Sequence, residues 1–365
     1  MKKILCLIDG LGFGGAQRQI IGLASLLNKK GYETWLASYH KKEFYADLLA
    51  KENIKNIVLT NNGSKLSKLK AVKQLTKNEH FDVVIAYQNG PNKIGCLLKF
   101  FNRKIKLIVS DRFTRQKVGR NERILYNLYR MADSIVPNAY SQEEYIKKNF
   151  PFLAKKTVTI TNFTDTAFFS PGSDFASVGN NKDGSTINIL VAGRISESKN
   201  ILKFLDALYI LKERKANIHV NWFGNIGYGM ENYRDQIQKK CSDLQIGSVI
   251  SFHDGTKNIL KEYRACDVFC LPSIREGFPN TICEAMSCGK PILCGRVCDN
   301  PQIVEEGING MLFDPYSAED IANVIERYTL LSAEERQSMG RNNREKALKL
   351  FSEDIFVDKY INLIE

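Results

Sequence analysis

SIREGFPNTICEAMSCGKP, residues 273–291, holds two glutamates, Glu276 and Glu284, with seven residues between them, a Gly-Phe-Pro-Asn turn after the first and a Gly-Lys-Pro stop at the end. Pro279 near a helix start and Gly289 beyond its end bracket one short helix over 280–288. The apolar run 267–271 just before reads as a strand, so Glu276 falls in the loop at a strand's C-terminal end. Glu284 follows within the helix and faces the same edge if the loop folds back. That edge is where open α/β sheets take their ligands. Free N–H groups at the helix start suit a phosphate or sugar oxygen, and a carboxylate such as Glu284 can accept both hydroxyls of a ribose.

This strand, turn and helix unit recurs along the whole chain. Short β-branched runs at 3–9, 33–38, 55–59, 82–87, 105–110, 133–136 and 157–161 alternate with helical patterns such as AQRQIIGLASLLNKK (16–30), which ends at Gly31 as a C-cap glycine would. The alternation predicts a parallel sheet covered on both faces. SPGSDFASVGNNKDGS, residues 170–185, has no apolar periodicity and reads as a linker. Strand candidates then restart at 187–192, 218–223, 249–252, 267–271 and 291–293. The expectation is an α/β protein of two doubly wound domains, 1–169 and 186–351, as suits a length of 365 residues. The segment 352–365 carries a helical stripe of Ile355, Phe356, Tyr360, Ile361 and Ile364, which is expected to cross back and dock on the first domain.

Composition narrows the function classes. Hydrophobic residues make up 44% and charged residues 25%, as in an ordinary globular protein. No apolar run reaches the roughly 18 residues that a membrane span needs. MKKILCLIDGLGF at the N-terminus imitates a signal peptide, but Asp9 interrupts it and no small-residue cleavage site follows, so a buried first strand is expected. Six of the nine cysteines (Cys266, Cys270, Cys283, Cys288, Cys294, Cys298) lie in one stretch, yet the spacing is not paired C-x2-C and no histidine sits among them. Reduced thiols are the expectation, with no metal. The charge is uneven: residues 1–165 carry 29 Lys and Arg against 13 Asp and Glu, a net of +16, whereas 166–365 carry 23 against 27, a net of −4. The first half is expected to meet something anionic, such as a phosphorylated substrate or an acidic membrane surface; no nucleic-acid motif with interleaved aromatics is visible.

Two further stretches bear on chemistry. In VAGRISESKN (191–200), Arg194 and Lys199 follow a strand and precede a helix, so two cations and a helix start converge, suiting a diphosphate that gains charge as it leaves. No D-x-D occurs anywhere, so the cations stand where a metal would otherwise act. GLGFGGAQRQ (10–19) can be read as a dinucleotide fingerprint through Gly10, Gly12 and Gly15. The acid expected about 20 residues beyond such a fingerprint is missing, and Ser38-Tyr39-His40-Lys41 would at best suit a 2′-phosphate.

Taken together these residues resemble the retaining GT-B glycosyltransferases of glycosyltransferase family 4. The family's E-x7-E falls on Glu276 and Glu284, and its G-R-x4-K on Gly193, Arg194 and Lys199. The resemblance implies two Rossmann-like domains with a cleft between them, an N-terminal acceptor domain and a C-terminal donor domain. Arg194 and Lys199 would bind the diphosphate of a UDP- or GDP-sugar, Glu276 would contact the sugar, and Glu284 would hold the ribose. Gly277, Phe278, Pro279, Asn280 and Thr281 would line the donor pocket, with Phe252 and His253 near the base. Gly14, Gly15, Ala16, Gln17 and Arg18 resemble the family's G-G-A-E-R element, and Ser110-Asp111-Arg112 its S-E-R variant, which places Gly14, Gly15, Arg18, Asp111 and Arg112 on the cleft and acceptor side. A tight turn with positive φ is the other reading of Gly14 and Gly15, and surface charge the other reading of Arg112 and Arg115.

The implied reaction is hexosyl transfer with retention to a glycan or polyprenyl-phosphate-linked acceptor in bacterial surface polysaccharide synthesis. It implies no cofactor beyond the nucleotide sugar, and a cytoplasmic protein peripheral to the inner membrane face. Cations interspersed with Phe100, Phe101, Phe113, Leu125 and Tyr126 between residues 99 and 130 are the candidate membrane contact. A nucleotide-sugar epimerase of the same fold is the alternative, and an NADP-dependent oxidoreductase a more distant one, since it leaves Arg194, Lys199 and the paired glutamates without a role.

Overall fold

The computed structural model describes residues 1–12, 14–41, 44–60, 63–113, 115, 117–172, 186–227 and 229–365. Strands β1 (Lys3–Gly10), β2 (Glu33–His40), β3 (Lys55–Val58), β4 (Val83–Tyr87), β5 (Lys106–Asp111) and β6 (Ser134–Pro137) form one parallel sheet in the order β3-β2-β1-β4-β5-β6. Strands β7 (Ile187–Ala192), β8 (Ile218–Phe223), β9 (Ile250–His253), β10 (Val268–Leu271), β11 (Ile292–Gly295) and β12 (Gly310–Phe313) form a second, in the order β12-β11-β10-β7-β8-β9. Each sheet has its first strand beside its fourth, so the winding reverses there and opens a crevice at the strands' C-terminal ends.

The sequence shows why β1 sits centrally. Ile4 to Ile8 are all buried, and the period of two divides them. Ile4, Cys6 and Ile8 enter one core with helices Gly15–Lys29 and Glu353–Ile364, while Leu5 and Leu7 enter the opposite core with Val72, Ile94 and Leu98. A strand apolar on both faces is what a sheet covered on both sides requires.

The chain divides into two compact units, Met1–Phe163 with Glu353–Glu365, and Thr164–Ser352. In the first, the final helix buries Phe356, Val357, Tyr360 and Ile364, and the Tyr360 hydroxyl meets that of Tyr87 at 2.9 Å. Residues 164–169, assigned to the first domain from sequence, belong instead to the second unit. Phe169 packs edge-on to Tyr263 at 5.9 Å, and its carbonyl accepts from Arg344 at 3.1 Å. Residues 173–185 of the expected linker lie outside the described residues.

Two strand expectations change. Residues 157–161 do not form a strand: Thr157 bridges Ile135, and the amides of Val158 and Ile160 bond the carbonyls of Ile135 and Pro137 at 3.0 and 3.1 Å. Pro137 has no N–H to return a bond to the Val158 carbonyl, so the ladder does not continue, and the Glu143 carboxylate takes the Thr159 amide and hydroxyl on the other side. Strand β12 is not foreseen, because GMLF is a bare four-residue run with no alternation to mark it.

Candidate active site

At the reversal point of the second sheet β7 pairs with β10, and the loops leaving these two strands carry the candidate residues. β7 runs into Gly193 and Arg194, then through the 3-10 turn Glu197–Lys199 into helix Ile201–Glu213. β10 runs into the Glu276 loop and helix Asn280–Ser287. The loops are stitched to each other. The Ile274 amide donates to the Ser198 carbonyl at 3.0 Å. Asn200, in the left-handed region at φ 60°, donates its side-chain amide to the carbonyls of Pro272 at 3.2 Å and Pro315 at 2.6 Å.

This stitching brings Lys199 Nζ to 2.6 Å from Glu276 Oε1, with the two side chains only 17% and 13% exposed. Gly193 leaves the lysine its path: a Cβ there would stand 3.1 Å from Lys199 Cε. Gly224 in turn abuts the Gly193 carbonyl, where any Cβ would lie 1.9 Å from the oxygen, and the Trp222 indole N–H donates to that same oxygen at 3.0 Å. Arg194 is exposed, and no carboxylate among the described residues pairs with it. An ammonium has three donors, so Lys199 can hold Glu276 and still offer hydrogens to an anion.

Glu284 lies on helix Asn280–Ser287 and is buried, its Oε2 accepting from the Tyr263 hydroxyl at 2.9 Å. Tyr263 itself is fully buried on helix Ile259–Ala265. No spacing rule in the sequence links that tyrosine to Glu284, and it goes unnoticed there. The helix ends as the Gly-Lys-Pro stop suggests: Gly289 takes φ 71°, and the buried Lys290 ammonium binds the carbonyls of Arg264 and Cys266 at 2.9 and 2.8 Å.

Not every expected donor residue offers a side chain. Gly277, Asn280 and Thr281 are half-buried at the loop and helix start, but the Phe278 ring is buried edge-on against Phe351 at 5.6 Å and belongs to the core. Pro279 is buried too. At the end of β9, Phe252 rests on Trp222 at 6.1 Å. His253 is exposed, stacks on Phe223 at 4.5 Å and meets Asn221 Oδ1 through Nε2 at 2.9 Å.

In the first unit, Gly14 and Gly15 open helix Gly15–Lys29 at the end of β1, with Arg18 on its first turn. The turn reading of these glycines does not hold: Gly14 is extended at φ 167°, and Gly15 already has helical backbone. A Cβ on Gly14 would meet the movable end of the Gln17 side chain, which would have to shift.

Asp111 is fully buried at the end of β5 and paired with Arg115 Nη1 at 2.5 Å. The Tyr126 hydroxyl donates to the same carboxylate at 2.6 Å, and Arg115 Nη2 reaches Asn89 Oδ1 at 2.8 Å. Burial pulls the Arg115 pKa down, yet Asp111 and the neighbouring tyrosines outweigh it and hold the guanidinium above its ordinary value. Asp111, expected on the acceptor side, is thus enclosed, its carboxylate bound to Arg115, Tyr126 and Gln142. Arg112 is likewise no loose surface charge: it lies over the Tyr87 ring at 4.0 Å and donates to Asn162 Oδ1 at 2.6 Å and the Tyr360 hydroxyl at 3.1 Å.

All nine cysteines are free thiols. In the clustered stretch Cys266, Cys270, Cys283, Cys288 and Cys294 are buried in the core, and burial pushes Cys266 and Cys288 up to about 12, so these sulfurs stay protonated.

Two doubly wound parallel sheets, the second with a cation-carboxylate pair at its reversal point, define an α/β protein with a crevice where open sheets take their ligands. Residues 13–168 match the family Glycosyltransferase Family 4, and residues 173–346 match Glycosyl transferases group 1. The chain belongs to glycosyltransferase family 4 and has the GT-B fold.

Among its relatives is the Campylobacter jejuni N-acetylgalactosamine-N,N'-diacetylbacillosaminyl-diphospho-undecaprenol 4-alpha-N-acetylgalactosaminyltransferase, 25% identical over 80% of either chain. An uncharacterised glycosyltransferase of Haemophilus influenzae is 24% identical over 99% of this chain and 98% of its own. The crystal structure of Anabaena Alr3699/HepE in complex with UDP superposes with a TM-score of 0.85 at 21% identity, covering 99% of each chain.

Proposed function

We propose that this glycosyltransferase moves a hexosyl group, with retention at the anomeric carbon, from a UDP-sugar to a hydroxyl of a lipid-linked glycan in bacterial surface polysaccharide synthesis, working at the inner face of the cytoplasmic membrane. The observation that carries the reading is the Lys199–Glu276 contact of 2.6 Å beside Arg194, at the reversal point of the second sheet. UDP as the nucleotide is supported by the UDP complex of the Anabaena structure, and a polyprenyl-linked acceptor by the undecaprenol named for the Campylobacter relative.

In this reading Lys199 and Arg194 face the diphosphate and stabilise the charge it gains as the glycosidic bond breaks. The Lys199 ammonium also holds the Glu276 carboxylate toward the sugar. The departing diphosphate accepts the acceptor's proton on the face it leaves, so that no separate protein base is needed. Glu284, oriented by Tyr263, accepts the ribose hydroxyls. The second unit takes the donor and the first the acceptor, with the start of helix Gly15–Lys29 and Arg18 facing the acceptor's anionic portion.

UDP, GDP and ADP compared by thermal shift test the donor. With the three at equal concentration UDP is expected to give the largest shift, about 2.7 kcal/mol of added stability once it stands at 100 times its dissociation constant. Absence of a shift with all three would remove the donor assignment. Glu284→Ala is expected to weaken UDP binding by about 10-fold or more, because a hydrogen bond to a charged group is worth about 1.5–3 kcal/mol. Unchanged affinity would exclude the ribose role.

The two cations are assigned the task a metal would otherwise perform. Chelator is therefore expected to leave turnover intact. An enzyme silenced by EDTA and restored by magnesium or manganese would overturn that assignment.

A further inference from the structure

Helices Lys65–Glu79 and Asn89–Phe101 pack beside each other over one face of the first sheet, burying Val72, Ile94 and Leu98 beneath them. Their outward sides differ from ordinary solvated faces. On the first helix Leu66, Lys70, Lys73 and Lys77 follow one another at helical spacing and are all exposed, Leu66 to 78%. On the second, Leu97, Phe100 and Phe101 share one stripe, with the two rings 59% and 57% exposed, and Arg103 and Lys104 follow the helix end.

The two stripes touch. Lys73 Nζ lies 4.6 Å from the Phe101 ring centroid, and the Phe100 and Phe101 rings meet edge to face at 5.5 Å. Residues 65–104 contain nine Lys and Arg but only two acids, Glu79 and Asp82. Both acids are turned to Lys3, Glu79 through its ammonium at 2.9 Å and Asp82 through its amide at 2.8 Å. Among the described residues, the outward stripes therefore carry cations and large apolar groups with no carboxylate paired to Lys70, Lys73 or Lys77.

We infer that this two-helix face docks the protein on an anionic lipid monolayer. Phe100, Phe101 and Leu66 enter the boundary between headgroups and acyl chains, and Lys70, Lys73 and Lys77 lie over the lipid phosphates. Lysine suits both demands, since its stem covers apolar surface while its ammonium stays at headgroup level. A polyanion alone accounts for the cations but leaves exposed rings and Leu66 unused. The rings meet edge to face, which gives no open platform on which bases would stack. The face replaces most of the membrane contact expected from sequence, for Leu125 and Tyr126 are buried in the core. It deepens the membrane-associated reading above and locates the contact on the first unit.

The test is cosedimentation of the full chain with phosphatidylglycerol vesicles, set beside phosphatidylcholine vesicles. Binding is expected to the anionic vesicles only, weakening as salt rises. Each lysine near such a surface strengthens binding about 5-fold, so Lys70→Gln/Lys73→Gln/Lys77→Gln is expected to lower partitioning about 100-fold. Phe100→Ser/Phe101→Ser should lower it at least 10-fold at unchanged charge, while Lys147→Gln/Lys148→Gln on helix Tyr140–Asn149 should bind as wild type.

Face variants that sediment like wild type would overturn the proposal, as would equal binding to both kinds of vesicle. An oligonucleotide bound through the lysines and indifferent to the phenylalanine changes, with no vesicle binding, would reassign the face to a polyanion. The replaced side chains are exposed, so the variants should keep their thermal midpoint and their shift with UDP. Failure of docking and failure of the transferase reading are thus read separately.

Discussion

Lys199→Ala is expected to lower turnover roughly 100-fold or more, comparable to removing one oxyanion donor from an acyl-transfer site. Two losses coincide. On the proposed reading the departing diphosphate would lose a cation, and Glu276 loses the partner that lies 2.6 Å away. Stability should fall by about 1–3 kcal/mol, since the Glu276 carboxylate is left largely enclosed without its charged donor. A cycle with Glu276→Gln separates the two losses. If the residues act as a unit, the double variant falls well short of the product of the single effects. Steady-state turnover with a UDP-sugar is the measurement, and wild-type turnover in Lys199→Ala would end its assignment to the diphosphate.

The second large effect is on folding. Arg115→Ala should cost about 3–5 kcal/mol of unfolding free energy in a urea titration, because it strips the counter-charge from a fully buried carboxylate. Among the described residues Asp111 would then retain the Tyr126 hydroxyl at 2.6 Å and the Gln142 amide at 3.5 Å. Asp111→Asn/Arg115→Met should be appreciably more stable than Arg115→Ala, since no charge is then left buried. If Arg115→Ala instead unfolds like wild type while its turnover falls, Asp111 and Arg115 face a ligand, and the structural account of that pair is wrong.

Part of this arrangement is legible in the amino-acid sequence, and the rest is hidden there for identifiable reasons. Spacing shows that Glu276 precedes a short helix and that Glu284 lies within it, because capping by Pro279 and termination at Gly289 are local events. It also shows that Arg194 and Lys199 leave the same strand. Spacing does not show that Lys199 and Glu276 touch, because their contact depends on the left-handed Asn200 tying one loop to the carbonyls of Pro272 and Pro315.

The Gly-Phe-Pro turn likewise gives no hint that Phe278 turns inward, since the surface it packs on, Phe351, arrives from the far end of a later helix. Asp111 ends strand β5, so Arg115 four residues on carries no expectation of contact of the kind a helix would give. Burial in the first unit also reverses the standing of Leu125 and Tyr126 while leaving Phe100 and Phe101 outside. One-dimensional clustering of cations and aromatics cannot separate those two fates.

The return of helix Glu353–Ile364 to the first unit bears on how the molecule is made. Residues 164–352 form an uninterrupted unit that can complete its sheet as it leaves the ribosome. The first unit, begun earlier, must wait with Ile20, Tyr87 and Phe163 uncovered until Phe356 and Tyr360 have emerged to close over them. The part synthesised first is thus the part finished last. During that interval its unclosed apolar surface is the nascent chain's point of exposure to chaperones, to proteases and to neighbouring chains on the same polysome.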